Sequence, residues 1–282
     1  MKIFPIAGET LGVRSTSVFV QTENLKILID PGFSIPQIKN LFPPTPYEFR
    51  AADKIKKILK EKAMECDLII ITHYHMDHFS YYEDFYKNKI VFIKDPENYI
   101  SENQKERAKK LLNILEKNSK NFHIANGEIN FGKTKIKFSK IFPHGVDEKM
   151  GGVISVLIDD GEKLIYSSDI SGFSSENSES FVIDEKPDIL IFDGPVSEVL
   201  DKAIKSTEKI LNETNIKIFI MEHHPYRDLD YKEKLKEYFS IFEKRGLTLL
   251  NYALFLNKEE MLLEGERELF YEKPFRFNKP LW

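Results

Sequence analysis

Polar and apolar residues alternate over positions 16–21 and again over 26–30, the period of half-buried strands, and Thr22-Glu23-Asn24 separates the two runs. A β-hairpin is predicted there. Asp30-Pro31-Gly32 closes the second strand, because proline cannot donate to a ladder and glycine permits the turn. Over 47–65 the period changes: Ala51, Ile55, Ile58 and Leu59 recur at helical spacing among lysines and glutamates. Positions 68–71 are apolar throughout, as in a strand buried on both faces. Further strands are predicted at 89–94, 134–138, 153–158 and 164–168, the last two joined by the turn Asp159-Asp160-Gly161. Between them lies an amphipathic helix at 101–119, with Ser101 and Gln104 as its expected capping box. The remainder alternates: strand 189–192, helix 197–211, strand 216–221, helix 231–244, strand 248–252. Two packed sheets flanked by helices accommodate this order, and one domain over 1–282 is expected.

Composition narrows the setting without changing the fold class. With 41% hydrophobic and 30% charged residues and a formal charge of -4, the chain reads as a globular α/β protein with no overall nucleic-acid footprint. A basic groove can hide inside an acidic total, so nucleic acid stays possible as a substrate but is not indicated. Membrane-length apolar runs are missing, and Pro5 and Gly8 interrupt any signal-peptide core at the N-terminus. A single cysteine, Cys66, excludes an internal disulfide, and the expected location is the cytoplasm. Abundant lysine, glutamate and isoleucine resemble hyperthermophile usage. Nothing in the pattern selects an oligomeric state.

Candidate chemistry is concentrated behind the apolar strand at 68–71, where Thr72-His73-Tyr74-His75-Met76-Asp77-His78 packs three of the chain's seven histidines beside a carboxylate. Alternation sends side chains i and i+2 to one side, so His73 and His75 can grip one cation. Asp77 and His78 fall where the chain must turn, close enough to serve a second. Neutral imidazole and carboxylate suit zinc, iron or manganese. An accidental surface cluster would not follow a buried strand, and a histidine tag would be terminal and unbroken.

Three more polar sites stand at predicted strand ends: His144 in Pro143-His144-Gly145, Asp169 after Ser168, and the pair His223-His224. An ionised Asp169 closing an apolar strand is costly unless paired or metal-bound. A ligand role is the economical reading.

The motif at 73–78, followed by His144, Asp169 and His223 in that order, resembles the metallo-β-lactamase superfamily of metal-dependent hydrolases. Leu11-Gly12-Val13-Arg14-Ser15, the stretch 27–32, Asn103-Gln104-Lys105-Glu106-Arg107-Ala108, the stretch 166–169, Asp193-Gly194-Pro195 and the stretch 223–228 resemble, within it, an uncharacterised archaeal family of predicted metallo-hydrolases. The resemblance implies a four-layer αββα sandwich with two divalent metal ions, zinc first and iron or manganese as alternatives. It implies that His73, His75 and His144 bind one ion, that Asp77, His78 and His223 bind the other, and that Asp169 bridges them. Either member of the His223-His224 pair fits; His223 is chosen because it comes immediately after Glu222 at the strand end, much as the last ligand does in related nucleases. His224 is left to donate to substrate or orient Asp169. Asp77 would also accept a hydrogen bond from the attacking water, a metal-bridged hydroxide in this reading. Asp30, Ser168 and Thr72 are candidates, by position, to fix imidazole tautomers.

A secreted β-lactamase often has cysteine where Asp169 stands, and a flavodiiron reductase usually has glutamate where His75 stands. What remains is a compact phosphodiesterase or nuclease, or a hydrolase of a thioester, lactone or phosphorylated metabolite. The alternative of another class is a metal-dependent sensor or scaffold without turnover. Arg227 has a phosphate-binding reading, but arginine beside acidic residues on a loop usually makes a solvated ion pair, so pairing with Asp228 or Asp230 is expected. Lys105, Arg107, Lys109 and Lys110 are expected to face water while Ala108, Leu111, Leu112 and Leu115 pack down. Asp193 reads equally as a turn-former or an orienting acid, and His123 as an ordinary loop or surface residue.

Overall fold

The computed structural model describes residues 1–145 and 148–273. The first sheet contains β1 (Lys2–Pro5), β2 (Val18–Gln21), β3 (Lys26–Ile29), β4 (Leu68–Ile71), β5 (Ile90–Ile93) and β6 (Asn121–Ile124), side by side in chain order. Its first three strands are antiparallel, and β3 to β6 run parallel. Next come β7 (Glu128–Phe131), β8 (Thr134–Phe138), β9 (Phe142–Pro143), β10 (Gly152–Val153), β11 (Val156–Asp159), β12 (Lys163–Tyr166), β13 (Ile189–Asp193), β14 (Ile218–Glu222) and β15 (Leu249–Leu250). The second sheet has the order β7-β8-β11-β12-β13-β14-β15, parallel from β12 onward, while β9 and β10 pair separately.

Alternation along the strands builds the layers. In β4, Leu68 and Ile70 point between the sheets toward Ile136, Val156, Leu164, Ile189 and Ile220, while Ile69 and Ile71 point outward. The outward face packs under the helices Pro46–Glu65, through Ala51, Ile55 and Leu59, and Glu102–Asn118, through Ala108, Leu111 and Leu115. On the far side, Leu157, Ile165, Leu190 and Phe219 meet the helices Glu176–Glu185, Leu200–Glu213 and Lys236–Glu243. The result is the expected αββα sandwich. Each parallel strand delivers its C-terminal end to the same edge, so Asp30, Thr72, Ser167, Asp193 and His223 leave their strands together. That edge is where open parallel sheets place ligands.

Several boundaries differ from the sequence reading. The predicted strand 153–158 is split, because Gly152 and Val153 pair with Pro143 and Phe142 while Val156–Asp159 joins the main sheet. The helix predicted at 231–244 breaks at Leu235 into Tyr231–Lys234 and Lys236–Glu243. Ser101 makes no side-chain cap, whereas Thr45 and Glu48 form a reciprocal capping box at Pro46–Glu65. His123 is exposed as expected, but on the edge strand β6, against Phe92. Cys66 is buried, which pushes its thiol up to about 12 and removes it from thiolate chemistry. Among the described residues no helix is long and apolar enough to cross a membrane.

Candidate metal centre

The turn after β4 and the ends of β9, β12 and β14 bring the seven residues named from the sequence into one cluster. His73, His75, His144 and Asp169 form one group whose ligand atoms lie within 4.8 Å of one another, and Asp77, His78 and His223 form a second. Asp169 joins the two. Its Oδ2 lies 3.7 Å from His73 Nε2, 3.4 Å from His144 Nε2, 3.1 Å from His78 Nε2 and 3.1 Å from His223 Nε2. His223 Nε2 also lies 3.7 Å from Asp77 Oδ2.

The donors fit divalent metal. His73 Nε2, His78 Nε2, both ring nitrogens of His144 and Asp169 Oδ1 are buried and have no hydrogen-bond partner among the described residues. Buried polar atoms without partners are costly, and here they converge on each other. A cation satisfies them together, and imidazole with carboxylate is a donor set for zinc, iron or manganese.

Charge in the metal-free cluster follows position. Burial and the neighbouring His78 hold His73 well below the ordinary imidazole range, and burial with His144 pushes His75 down to about 3. Burial also opposes a charged His223, but Asp169 and Glu9 override it and push that ring up to about 9. His78 is raised likewise by Asp169 and Asp30, against its own burial. Asp169 resists its burial through His223 and His78 and is held well below the usual carboxylate range.

All three positional candidates orient rings. Asp30 Oδ2 lies 2.9 Å from His78 Nδ1 and also accepts from Tyr166 at 2.8 Å and the Thr72 hydroxyl at 2.6 Å. His73 Nδ1 lies 3.2 Å from Thr72 Oγ1 and 3.3 Å from Ser168 Oγ. Asp193 is both things the sequence left open: it accepts from the Ser171 and Gly172 amides and lies 3.1 Å from His224 Nδ1. Left-handed backbone occurs at Asp30 (φ 48°), Ser168 (φ 60°) and His223 (φ 88°), a cost of about 1–3 kcal/mol each. The strain sits where strands release site residues.

Two orienting residues were not nominated for the site by the sequence. Glu9 lies 2.9 Å from His223 Nδ1, completing a carboxylate–histidine pair on the second group. Its neighbour Thr10 is fixed by Glu222, which accepts from the Thr10 amide and hydroxyl and from the Tyr252 amide. Gln104, expected as a helix cap, turns inward instead: it accepts from the Tyr74 amide, donates to Met150 O, and places Nε2 3.3 Å from His75 Nε2. The expected pairing of Arg227 with Asp228 or Asp230 is overturned. Lys234 takes both of those carboxylates, while Arg227 Nε donates to Glu9 at 3.0 Å.

Known proteins resemble this chain in sequence and in fold. A UPF0282 protein of Saccharolobus islandicus is 37% identical over 100% of this chain and 97% of its own, and one of Metallosphaera sedula is 37% identical over 96% and 93%. The chain belongs to the UPF0282 family. The profile of the metallo-beta-lactamase superfamily matches residues 11–89, which include the 73–78 motif. Among solved structures, a possible metal-dependent hydrolase from Veillonella parvula aligns with TM-score 0.54 at 13% identity, covering 84% of this chain and 94% of that one. An isothiocyanate hydrolase from Delia radicum gut bacteria aligns with TM-score 0.55 at 15% identity, covering 85% and 94%. At such identities the likeness establishes the fold, and this UPF0282 chain has the metallo-β-lactamase fold.

Proposed function

We propose that this UPF0282 protein is a dinuclear metal-dependent hydrolase, a single domain over 1–282 acting on a phosphodiester or a related small ester. The observation that carries the reading is the convergence of buried, partnerless nitrogen and oxygen atoms from His73, His78, His144 and Asp169. His73, His75 and His144 would hold one ion, Asp77, His78 and His223 the other, with Asp169 between them. Zinc is the first expectation. A pair of divalent ions supplies Lewis acidity, lowers the pKa of water and neutralises charge that grows on the reacting group.

The remaining work belongs to the chain's own residues. Asp77 would both help to hold the second ion and accept a hydrogen bond from the attacking water. Asp193 beside Nδ1 would hold the ring proton on that nitrogen, which leaves the lone pair of His224 Nε2 to take a proton from the attacking water and pass it to the leaving group. Burial and His223 hold the His224 ring well below the ordinary imidazole range, so it starts neutral and able to accept. The same side chain lines a cavity of about 210 Å³ with Pro195, Val196, Ser197 and Leu235, space for a small leaving group.

The test pairs metal analysis with turnover. Protein purified without added metal is expected to contain divalent ion, and to hydrolyse bis(p-nitrophenyl) phosphate faster than thioesters or lactones. His75→Ala should lose both metal and activity. Full metal content with no turnover on any of these substrates would favour the sensor or scaffold reading instead.

A further inference from the structure

Arg227 is the cation at this site that the ligand set does not require. Its Nη2 lies 3.8 Å from Asp77 Oδ2, 3.0 Å from His223 Nε2 and 3.5 Å from His223 Nδ1. Near-equal distances to both ring nitrogens place the guanidinium against the face of the imidazole, since approach along one lone pair would leave the other nitrogen much farther away. The in-plane lone pair of Nε2 therefore stays available to a metal. Stacking on an aromatic face is a habit of guanidinium.

The group is held in place. Nε donates to Glu9, and Lys39 donates to the Arg227 carbonyl. With that edge fixed, the outer edge of the fork faces away from Glu9; Nη1 has no hydrogen-bond partner among the described residues, and the side chain keeps 23% exposure. A structural ion pair would be complete with Glu9 alone. Here Nη1 of the planar fork is left over, beside an Nη2 that rests on the His223 ring 3.8 Å from Asp77, at the second cation position. Such a fork matches two oxygens of a phosphoryl group.

We propose that Arg227 is the anion-recognition residue of this centre, taking the non-bridging oxygens of a phosphoryl substrate next to the ion held by Asp77, His78 and His223. The assignment rests on the metal-centre reading above. It selects charged phosphoryl substrates over neutral esters.

The decisive experiment is calorimetric titration of inorganic phosphate into zinc-loaded wild type, Arg227→Met and Arg227→Lys, with zinc content and thermal midpoint recorded for each. Arg227→Met should bind phosphate about 10- to 100-fold more weakly, and Arg227→Lys should fall between it and wild type, because lysine keeps the charge but not the fork. The kcat/KM preference for bis(p-nitrophenyl) phosphate over p-nitrophenyl acetate should shrink by a similar factor, mostly through KM. Equal phosphate affinity in wild type and Arg227→Met at equal zinc content overturns the assignment, as does a wild type that binds no phosphate. Should Arg227→Met fail to fold, phosphate affinity in Arg227→Lys equal to wild type overturns it. A wild type that holds no zinc removes the metal centre itself, an outcome that the zinc measurement separates from the others.

Discussion

The two halves of the metal cluster are built differently. His78 and His223 are each braced by a buried carboxylate, Asp30 at 2.9 Å and Glu9 at 2.9 Å, and both rings are raised toward the charged form. On the other side, the His73 ring has only the hydroxyls of Thr72 and Ser168 behind it, His75 has the Gln104 amide, and neither ring nitrogen of His144 has a hydrogen-bond partner among the described residues. One half is prearranged by anions, and the other is held by packing and neutral contacts. A carboxylate behind an imidazole raises its basicity and fixes its tautomer, so the braced half would bind metal in competition with protons, while burial already keeps His73 and His75 neutral.

Asp30 gives the largest way to break this contrast. Asp30→Ala leaves His78, Tyr166 and the Thr72 amide and hydroxyl without their shared acceptor. A loss of about 3–5 kcal/mol is expected in urea unfolding of the metal-free protein; a loss below 1 kcal/mol would show that the brace is dispensable. Glu9→Gln comes next, lowering affinity for the second ion by about 10–100-fold while the first ion binds nearly as before. Competition with a chromophoric chelator reads both constants, and equal weakening of the two would erase the distinction between halves.

Protonation sharpens the comparison further. His223 is raised in the folded, metal-free protein from 6.5 to about 9, so its contribution to stability is complete below pH 6.5 and disappears as pH rises through about 9. The thermal midpoint of metal-free protein should therefore fall across that window, and zinc binding at pH 7.5 should release protons. Calorimetry in buffers of different ionisation enthalpy measures the release. Glu9→Gln should reduce it, and an unchanged value would remove Glu9 from the account. The smallest effect is expected from Ser168→Ala, about 0.5–1.5 kcal/mol in affinity for the first ion, because Thr72 still contacts His73 Nδ1.

What could be read from the sequence follows from distance along the chain. The cluster at 73–78 is local, and a buried strand announces it. Asp30, Thr72 and Ser168 sit immediately beside strand ends, so their position alone nominated them. Glu9 and His223 are 214 positions apart, and nothing in the stretch around Glu9 distinguishes it from a surface acid. Gln104 satisfied a local capping pattern, and the tertiary demand of the Tyr74 amide overrode it. The edge strands β1, β6 and β7 are short and largely exposed, so they lack the apolar run that marks β4.

By itself the sequence determined the order of strands and helices and nominated the polar residues at strand ends, because both are written in short-range periodicity and residue type; the four layers and the set of seven ligands came from the family resemblance those residues carry. Only the tertiary structure decided who stands behind those residues: Glu9 behind His223, Asp193 behind His224, and Arg227 on Glu9 rather than on its neighbours Asp228 and Asp230. The reason is physical. Outer contacts depend on which strand ends the sheets bring to one edge, and a charged side chain pairs with the partner that burial offers it, wherever in the chain that partner lies.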